Sequence, residues 1–263
     1  MTRHLPVSGA HDSSKIPDCV RQIFVRHGTS RHLPAGAILA VEGEPSDRLH
    51  FAKSGLTYRY SVTHGGSRQI LGVSLPGEFC NLDGLGTPVL SYGVRTRTLS
   101  TIISIPYPTM LAAMEQSSEL TAYFRRLISI ENAILGRLTM SIGRQSARSR
   151  LAHFICEMLV RLGRIQSSDN APSLNMPFTQ EDLGDILGLT AVHINRTLQT
   201  LKSDGVVSMD NHKIRVLDIA MLMRIADFES MYLGISGQGH DTMAFSMPLP
   251  DVRSAMHHGM INC

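Results

Sequence analysis

The chain lacks any long hydrophobic run. No stretch of about 18 consecutive apolar residues occurs among its 263 residues, and the best candidate, residues 147–165, is interrupted by arginines, a histidine and a glutamate. Because a membrane-spanning helix needs about 20 predominantly apolar residues, a transmembrane protein is excluded. Residues 1–15 also lack an apolar segment of secretory length, so we expect a cytoplasmic protein.

Cysteine is scarce and dispersed. The four cysteines are Cys19, Cys80, Cys156 and Cys263. They form no C-x-x-C pair and no other short spacing typical of a zinc or iron-sulfur site. We therefore interpret them as free thiols and predict no metal centre.

Charge of either sign is also modest. The formal net charge is +3, which by itself indicates no nucleic-acid partner. Of the 25 basic residues, however, 21 are arginine and 4 are lysine. Arginine suits phosphate and guanine contacts, but genomic GC bias would give the same count, so composition leaves both explanations open.

Residues 31–108 have the pattern of short strands separated by turns. Glycine and proline punctuate this segment every 8 to 12 residues, and polar and apolar residues alternate between them, as in TYRYSV at 57–62. Such regular punctuation is typical of an all-β domain. We predict a small sandwich or barrel of about eight strands.

Long helices are predicted after this domain, because residues 109–163 contain no proline. In the region 109–143, apolar residues recur at spacings of three, four and seven. The stripe is wide enough to cover two surfaces, so we favour a helix that lies along its counterpart in a second subunit. A helix that packs only on its own β domain is the alternative. The predicted dimer contacts are Leu127, Ile134, Leu135, Leu138 and Ile142.

Residues 1–30 lack helical or alternating periodicity, and residues 234–263 are rich in glycine, methionine, proline and histidine. Residues 1–30 are expected to form a flexible segment, and residues 221–263 a C-terminal helix followed by a flexible tail. Between them, Gly143 and the arginines after it indicate a hinge, with a helix over 147–162. The hinge opens a domain that we place at 144–220.

Residues 179–201 carry the most informative pattern, TQEDLGDILGLTAVHINRTLQTL. Thr179 and Asp182 have the spacing of a helix-capping box, and Gly188 can end that helix in the left-handed conformation. Thr190 caps a second helix, and Gly184 lies where the two helices cross. The apolar positions expected to face inward are Leu183, Ile186, Leu187, Ile194, Leu198 and Leu201. These features together predict a helix-turn-helix.

The outward residues of the second helix are candidates for reading DNA. Arg196 offers a planar fork for guanine or phosphate, and Asn195 can pair with adenine. His193 can donate or accept, and Ala191 and Val192 can touch a thymine methyl group. A solvated helix surface is the alternative for each residue taken singly. The predicted DNA-binding set is Gln180, Thr190, Ala191, Val192, His193, Asn195, Arg196, Gln199 and Lys213.

A β-hairpin is predicted directly after this helix. Residues 206–209 and 213–216 alternate in polarity around a turn at 210–212. Such a hairpin is the wing of a winged helix-turn-helix. Lys213 and Arg215 are available there for phosphate contacts.

The stretch FTQEDLGDILGLTAVHINRTLQTLKSDGVV, followed by a hairpin, resembles the Crp/Fnr superfamily of bacterial transcription regulators. HLPAGAILAVEGEPSDRLHFAKSGLTYRYSV and LPGEF resemble its β-roll sensor, with turn glycines at Gly36, Gly43, Gly55 and Gly77. The resemblance covers about 31–218. It implies an α+β chain with an N-terminal antiparallel β-roll of the cyclic-nucleotide-binding type, a long dimerisation helix and a C-terminal winged helix-turn-helix. It also implies a homodimer on a two-fold symmetric promoter site, with its recognition helices about 34 to 36 Å apart, and a contact with RNA polymerase.

The β-roll departs from the family pattern at positions that bind the ligand in other members, and these departures reduce the number of ligands that it could bind. Members that bind cyclic AMP use a glutamate and an arginine in the phosphate cassette, whereas Leu82 and Leu90 fall near those places here. Oxygen-sensing members hold an iron-sulfur cluster on several clustered cysteines, and Cys19 has no neighbouring cysteine. We therefore predict neither ligand, and the effector is left unassigned. His50 and His64 could be proposed as haem ligands, but we expect turn or surface histidines.

The recognition helix also departs from the family. Several members place glutamate where this chain has Val192, so we expect a different half-site.

Two other functions compete with a transcription regulator. A cupin-type β-barrel metalloenzyme would carry a His-x-His pair, whereas His32, His50 and His64 are isolated from one another in the sequence. A cyclic-nucleotide-binding module without a DNA function would leave the helix-turn-helix unexplained. We therefore predict a DNA-binding regulator that is not an enzyme.

Overall fold

A computed structural model describes residues 16–87, 89–164, 172–210 and 213–234. Eight antiparallel strands form the N-terminal half, in two four-stranded sheets of order β1-β8-β3-β6 and β2-β7-β4-β5. The strands are β1 Thr29–Leu33, β2 Ile38–Ala40, β3 Arg48–Ser54, β4 Thr57–Val62, β5 Arg68–Ser74, β6 Glu78–Phe79, β7 Gly93–Thr96 and β8 Ser100–Pro106. The predicted β-roll is confirmed.

The turn glycines of the roll have the backbone conformation that their positions require. Gly36, Gly43, Gly55 and Gly77 all have positive φ. At Gly55 space is limiting as well, since a Cβ atom would lie 2.5 Å from the Leu99 carbonyl oxygen. Glycine is therefore needed there for two reasons.

The structure differs from the expectation that residues 1–30 are a flexible segment. Asp18–His27 form helix α1, and Thr29 and Ser30 already belong to β1. Val20 is fully buried, and the Phe24 ring packs 4.8 Å from Phe51 of the roll. Cys19, Val20, Ile23 and Phe24 recur at helical spacing, so the sequence does contain a local signal for this helix, and packing on the roll stabilises it. Residues 1–15 lie outside the described part of the chain.

Three helices follow the roll: α2 Tyr107–Gln116, α3 Ser118–Arg144 and α4 Ala147–Arg161. The region predicted as one helical unit at 109–143 is thus two helices, because the Ser117 side chain caps α3 by accepting a hydrogen bond from the Leu120 amide. The predicted break after Gly143 is present at residues 145 and 146, between α3 and α4. No helix among the described residues is long and apolar enough to cross a membrane.

The C-terminal half is built on α4. Its elements are β9 Ser173–Asn175, α5 Gln180–Leu187, α6 Ala191–Ser203, β10 Val207–Asp210, β11 Lys213–Val216, α7 Ile219–Ala226 and a 3-10 turn at Met231–Leu233. The sheet order is β10-β11-β9. The helix expected within 221–263 is α7, which begins two residues earlier, and the tail after 234 lies outside the described residues.

The two halves share one hydrophobic core. Leu56, Tyr58 and Ile70 on the outer face of the roll belong to the same buried cluster as Leu151 and Ile155 of α4. The C-terminal half is therefore packed on the roll of its own chain and is not joined to it by the linker alone.

Candidate nucleic-acid interface

Helix α5 begins at the predicted capping box. The Thr179 hydroxyl accepts a hydrogen bond from the Asp182 amide at 3.1 Å, and the Asp182 carboxylate accepts one from the Thr179 amide at 3.0 Å. The helix ends at Gly188, whose φ of 63° is left-handed. Both ends of the helix are therefore fixed by local contacts.

Gly184 permits the close approach of the turn to α5. A Cβ atom at this position would lie 2.5 Å from the Leu189 carbonyl oxygen. The glycine predicted at the crossing of two helices thus faces the backbone of the turn between them. Any side chain at 184 would push the turn, and α6 with it, away from α5.

Helix α6 is amphipathic, as its spacing predicts. The Thr190 hydroxyl accepts a hydrogen bond from the His193 amide at 3.2 Å and so caps the helix. Ile194, Leu198 and Leu201 are buried on its inner side. The opposite side of the helix is therefore the one that is left in solvent.

The predicted DNA-contacting residues lie on the outer side of α6. Val192 is 77% exposed. His193, Asn195, Arg196 and Gln199 are also exposed, and Ala191 is half-buried. Residues 192, 195, 196 and 199 have the spacing of a single helix face, so the structure brings these side chains together.

The other predicted DNA-contacting residues, Thr190, Gln180 and Lys213, are exposed too. Thr190 and Gln180 are exposed at the N-termini of α6 and α5. The His193 ring lies with Nδ1 3.1 Å from the Thr190 hydroxyl, so the cap also orients the imidazole. Lys213 is exposed at the start of β11, on the wing.

The predicted hairpin of the wing is present, but its first strand is Val207–Asp210, one residue later than the expected 206–209, so Asp210 lies in the strand and not in the turn. Val207 is opposite Val216, and Asp210 is opposite Lys213. A third strand, β9, pairs with β11 on its other side. Strand β9 is not predicted from the sequence, because three residues are too few to show alternation. Residues 211 and 212 of the turn lie outside the described residues.

Two arginines on α4 hold the helix-turn-helix, although the sequence indicates only a hinge at their position. The Arg150 guanidinium donates hydrogen bonds to the carbonyl oxygens of Leu187 at 3.0 Å and Gly188 at 3.4 Å. Arg148 forms an ion pair with Asp204 at the C-terminal end of α6. The basic cluster is visible in the sequence, but its partners lie 37 to 56 residues away.

The predicted dimer contacts on α3 differ in how much of each side chain is covered by the rest of the chain. Leu127 packs against the core of the roll, and Ile134 packs against the core shared with the DNA-binding half. Ile142 faces Gly188, since a Cβ at that glycine would lie 3.3 Å from the Ile142 side chain. Leu138 is half-buried. Leu127, Ile134 and Ile142 thus make contacts within the chain, and the role of the set in a dimer stays a prediction.

Leu135 is the member of the predicted dimer set that the described chain leaves most open. Its side chain is 44% exposed, and Ile128, one heptad earlier, is exposed as well. The apolar stripe of α3 therefore faces both the chain's own core and solvent, and Ile128 and Leu135 form its exposed part.

The interior of the roll does not fit a cyclic nucleotide. Leu82 and Leu90 are buried in apolar clusters, so the arginine that a cyclic phosphate needs as its partner is absent at position 90. The arginine available on β4, Arg59, pairs with Glu131 of α3 at 2.9 Å and lies 5.5 Å from the centre of the Tyr92 ring. Burial raises the pKa of Glu131, against the opposing charge of Arg59. The charge of the Arg59 guanidinium is thus already paired within the chain.

The residues considered for metal cofactors are also separated. Cys80 and Cys156 are buried in different hydrophobic clusters, and Cys19 lies on α1. In the described ranges, no three histidine, cysteine or carboxylate side chains are grouped to hold a metal ion.

His50 is not the turn or surface histidine that we expected. It is 3% exposed on β3, and its Nδ1 lies 2.9 Å from the Ser104 hydroxyl. Burial lowers the pKa of His50 from 6.5 to about 4. His64, by contrast, is exposed in a turn.

Two protein-family comparisons match separate parts of the chain. Residues 30–117 match the cyclic nucleotide-binding domain, and residues 149–225 match the Crp-like helix-turn-helix domain. The solved structure of FixK2 from Bradyrhizobium japonicum is similar with a TM-score of 0.69 and 20% identity, over 75% of this chain and 96% of that one. A CooA mutant from Carboxydothermus hydrogenoformans gives a TM-score of 0.64 and 13% identity, over 81% and 91%.

Curated relatives are transcription regulators. The transcriptional activator protein anr of Pseudomonas aeruginosa is 24% identical over 235 residues, 85% of this chain and 95% of the relative. The fumarate nitrate reduction regulatory protein of Klebsiella oxytoca is 27% identical over 194 residues, 73% and 76% of the two chains. The prediction that the chain is not an enzyme is confirmed, because such regulators are not enzymes. The chain belongs to the Crp/Fnr superfamily of transcription regulators, with a cyclic nucleotide-binding-type roll ahead of a Crp-like helix-turn-helix.

Proposed function

We propose that this regulator binds a two-fold symmetric promoter site as a homodimer, with α6 of each subunit in the major groove. The observation that carries the proposal is the division of α6 into two sides. Ile194, Leu198 and Leu201 fix one side in the core, while Asn195, Arg196 and their neighbours on the other side are exposed. A helix held in this way presents its polar side chains to base edges.

Each predicted contact has a role that its position supports. Arg196 and Asn195 lie in the front half of α6, where they reach guanine and adenine edges. The exposed side chains of Thr190 and Gln180 lie beside helix N-termini, which attract phosphate oxygens. Lys213 on the wing would contact the flanking backbone.

The homodimer would form along the open side of α3. Leu135 and Ile128 are exposed there, and a Cβ added at Gly136 would meet no atom within 4 Å in this chain. A second copy of the helix would cover these leucine and isoleucine side chains and could approach closely at the glycine. We place the dimer contact on this surface, around Leu135 and Leu138.

The remaining partners follow from membership of the family. A dimer on a promoter acts by touching or blocking RNA polymerase, in the cytoplasm. We propose no cofactor, because Leu82, Leu90 and the Arg59–Glu131 pair leave the roll without the groups for a cyclic phosphate. The packed helix-turn-helix disfavours a nucleotide-binding module without a DNA function.

The test is DNA affinity as a function of salt. An operator is first selected from random duplexes, and binding is then followed by fluorescence anisotropy between 50 and 200 mM salt, roughly the range over which phosphate contacts dominate. A regulator prefers the symmetric duplex over a scrambled one, and its log K falls linearly with log salt. No preference at any salt concentration would refute the proposal.

Two substitutions separate base reading from phosphate binding. Arg196→Ala should cost about 1 to 3 kcal/mol of operator binding and relax the preference at one base pair. Lys213→Ala should weaken all sequences alike and reduce the salt slope by about one. Lys53→Ala, an exposed lysine on β3, is the matched control and should change neither. An unaltered preference in Arg196→Ala would reassign that side chain to phosphate.

A further inference from the structure

A cluster of charges joins the roll to the first helix of the helix-turn-helix. Arg68 of β5 reaches Asp182 at 2.7 Å and Asp185 at 2.6 Å. Arg97, which follows β7, reaches the other oxygen of Asp182 at 2.8 Å. We call these four residues the interdomain latch. Arg68 lies on β5, Arg97 in the loop after β7 and both aspartates on α5, and the Arg68 pairs join residues 114 and 117 positions apart in the sequence.

The latch fixes orientation as well as distance. Asp182 and Asp185 are three residues apart and therefore lie on one face of α5. Arg68 contacts both through different nitrogens of one rigid guanidinium group, so rotation of the helix breaks at least one bond. Gln69, the next residue on β5, donates from its side-chain amide to the carbonyl oxygen of Asp185.

The latch lies in a partly desolvated place, where ion pairs are stronger than on an open surface. The Asp182 side chain is 7% exposed, and the Arg68 side chain is 31% exposed. The Arg68 guanidinium also lies 5.7 Å from the centre of the Tyr58 ring. Burial alone would raise the pKa of Asp182, but the hydrogen bonds from Thr179 and the charges of Arg97 and Arg68 hold it below its ordinary value.

The latch leaves the DNA-contacting face uncovered. Gln180, Asn195 and Arg196 are all exposed while Arg68 and Arg97 are engaged. The docked arrangement is thus compatible with DNA. It also ties the helix-turn-helix to the roll, against which Leu127 of the dimer helix packs.

We propose that Arg68 and Arg97 are positioning residues for DNA binding, which fix the orientation of the helix-turn-helix through Asp182 and Asp185. The inference rests on the proposed function, because it concerns the tilt and spacing of two recognition helices on one operator. Two half-sites are engaged together only if both helices are held at the correct separation. With the latch open, each helix-turn-helix would sample more orientations, and binding would incur the cost of ordering them.

The test uses charge reversal in the full-length protein. Arg68→Glu breaks both pairs of Arg68, Asp185→Arg breaks one, and the double variant restores opposite charges at positions 68 and 185 while Asp182 keeps its pair with Arg97. Each single variant should bind the operator about tenfold or more weakly, and the double variant should bind at least about threefold more tightly than Arg68→Glu alone. Asp182 is left unchanged because it also caps α5.

Asp185→Arg discriminates between positioning and simple electrostatics. The variant adds positive charge, so attraction to the DNA backbone alone would tighten binding. Weaker binding supports the latch, and equal or tighter binding overturns it. Arg31→Glu, an exposed arginine on β1, is the control for lost charge and should weaken operator binding much less than Arg68→Glu.

Hydrogen exchange of the protein without DNA separates this inference from the proposed function. Amides of α5 should exchange faster in both single variants and recover in the double variant. If the wild-type protein selects no symmetric operator, the proposed function fails while the exchange data still report on the latch. Faster exchange with unchanged operator affinity would overturn the positioning role, as would a double variant that recovers neither property.

Discussion

Substitution of Gly184 by alanine tests how closely the turn of the helix-turn-helix approaches α5. An alanine Cβ would lie 2.5 Å from the Leu189 carbonyl oxygen and 3.6 Å from the Ala191 nitrogen. The first distance is far inside van der Waals contact, and the neighbour is backbone that cannot rotate away. The turn would have to move by roughly 0.5 to 1 Å to restore contact distance.

The expected magnitude follows from two opposing effects. Overpacking at such a site costs about 1 to 3 kcal/mol, whereas alanine is favoured over glycine inside a helix by about 1 kcal/mol. The difference between the steric cost and the gain in helix propensity is about 0 to 2 kcal/mol, and the backbone contact at 2.5 Å favours the upper part of this range as the loss in the free energy of unfolding of Gly184→Ala. Because Leu189 immediately precedes the cap of α6, the movement is passed to the recognition helix, and operator affinity should fall by about tenfold.

Urea unfolding and fluorescence anisotropy measure the two effects. Gly65→Ala is the matched control, because it adds the same methyl group at a glycine whose Cβ would meet its nearest atom, the Thr63 hydroxyl oxygen, at 3.9 Å. The control should leave stability and affinity within error of the wild type. A Gly184→Ala protein with wild-type stability and wild-type affinity would refute the close-approach argument.

Three further predictions concern the roll, the dimer helix and the cap of α5. His50 stays neutral in the folded roll while the unfolded chain takes up a proton near pH 6.5, so stability should fall by about 3 kcal/mol between pH 6.5 and about 4, as measured by urea unfolding. Gly136→Ala should weaken the dimer in sedimentation experiments, although helix propensity alone favours alanine by about 1 kcal/mol. Thr179→Ala should lower stability by about 1 kcal/mol, because Asp182 loses its capping partner.

Each of these predictions has an outcome that contradicts it. If a His50→Gln variant still loses about 3 kcal/mol of stability between pH 6.5 and 4, groups other than His50 cause the pH dependence. A more stable Gly136→Ala dimer would place the subunit contact away from this side of α3. Thr179→Ser retains the hydroxyl and should be as stable as the wild type. If the serine and alanine variants lose the same stability, the capping hydrogen bond is not the cause of the loss.

Much of the DNA-binding site could be predicted because its signals are local. The Thr179–Asp182 box and the Gly188 end of α5 depend on residues three to nine positions apart, as does the buried row of α6. Caps and helix periodicity act within one or two turns, so the sequence alone specifies them. The strands of the roll were equally visible, because each is bounded by turn residues such as Gly55 and Gly77.

The misplaced features depend on contacts between distant residues. Helix α1 has a local apolar spacing, but its docking depends on contacts such as Phe24 with Phe51, and His50 on β3 is buried beside Ser104 of β8. In the same way, α3 shows one continuous apolar stripe, but only the packed chain divides it between Leu127, which is covered, and Leu135, which is exposed.

The residues alone predict the order of roll, long helices and helix-turn-helix, and the side of α6 that stays in solvent. How the two halves are held together follows from the folded chain, through Arg68 and Asp185, which lie 117 residues apart. The physical reason is range. Hydrogen bonds of caps and turns form within a few residues, whereas an ion pair between a strand and a helix depends on the fold of the whole chain that separates them.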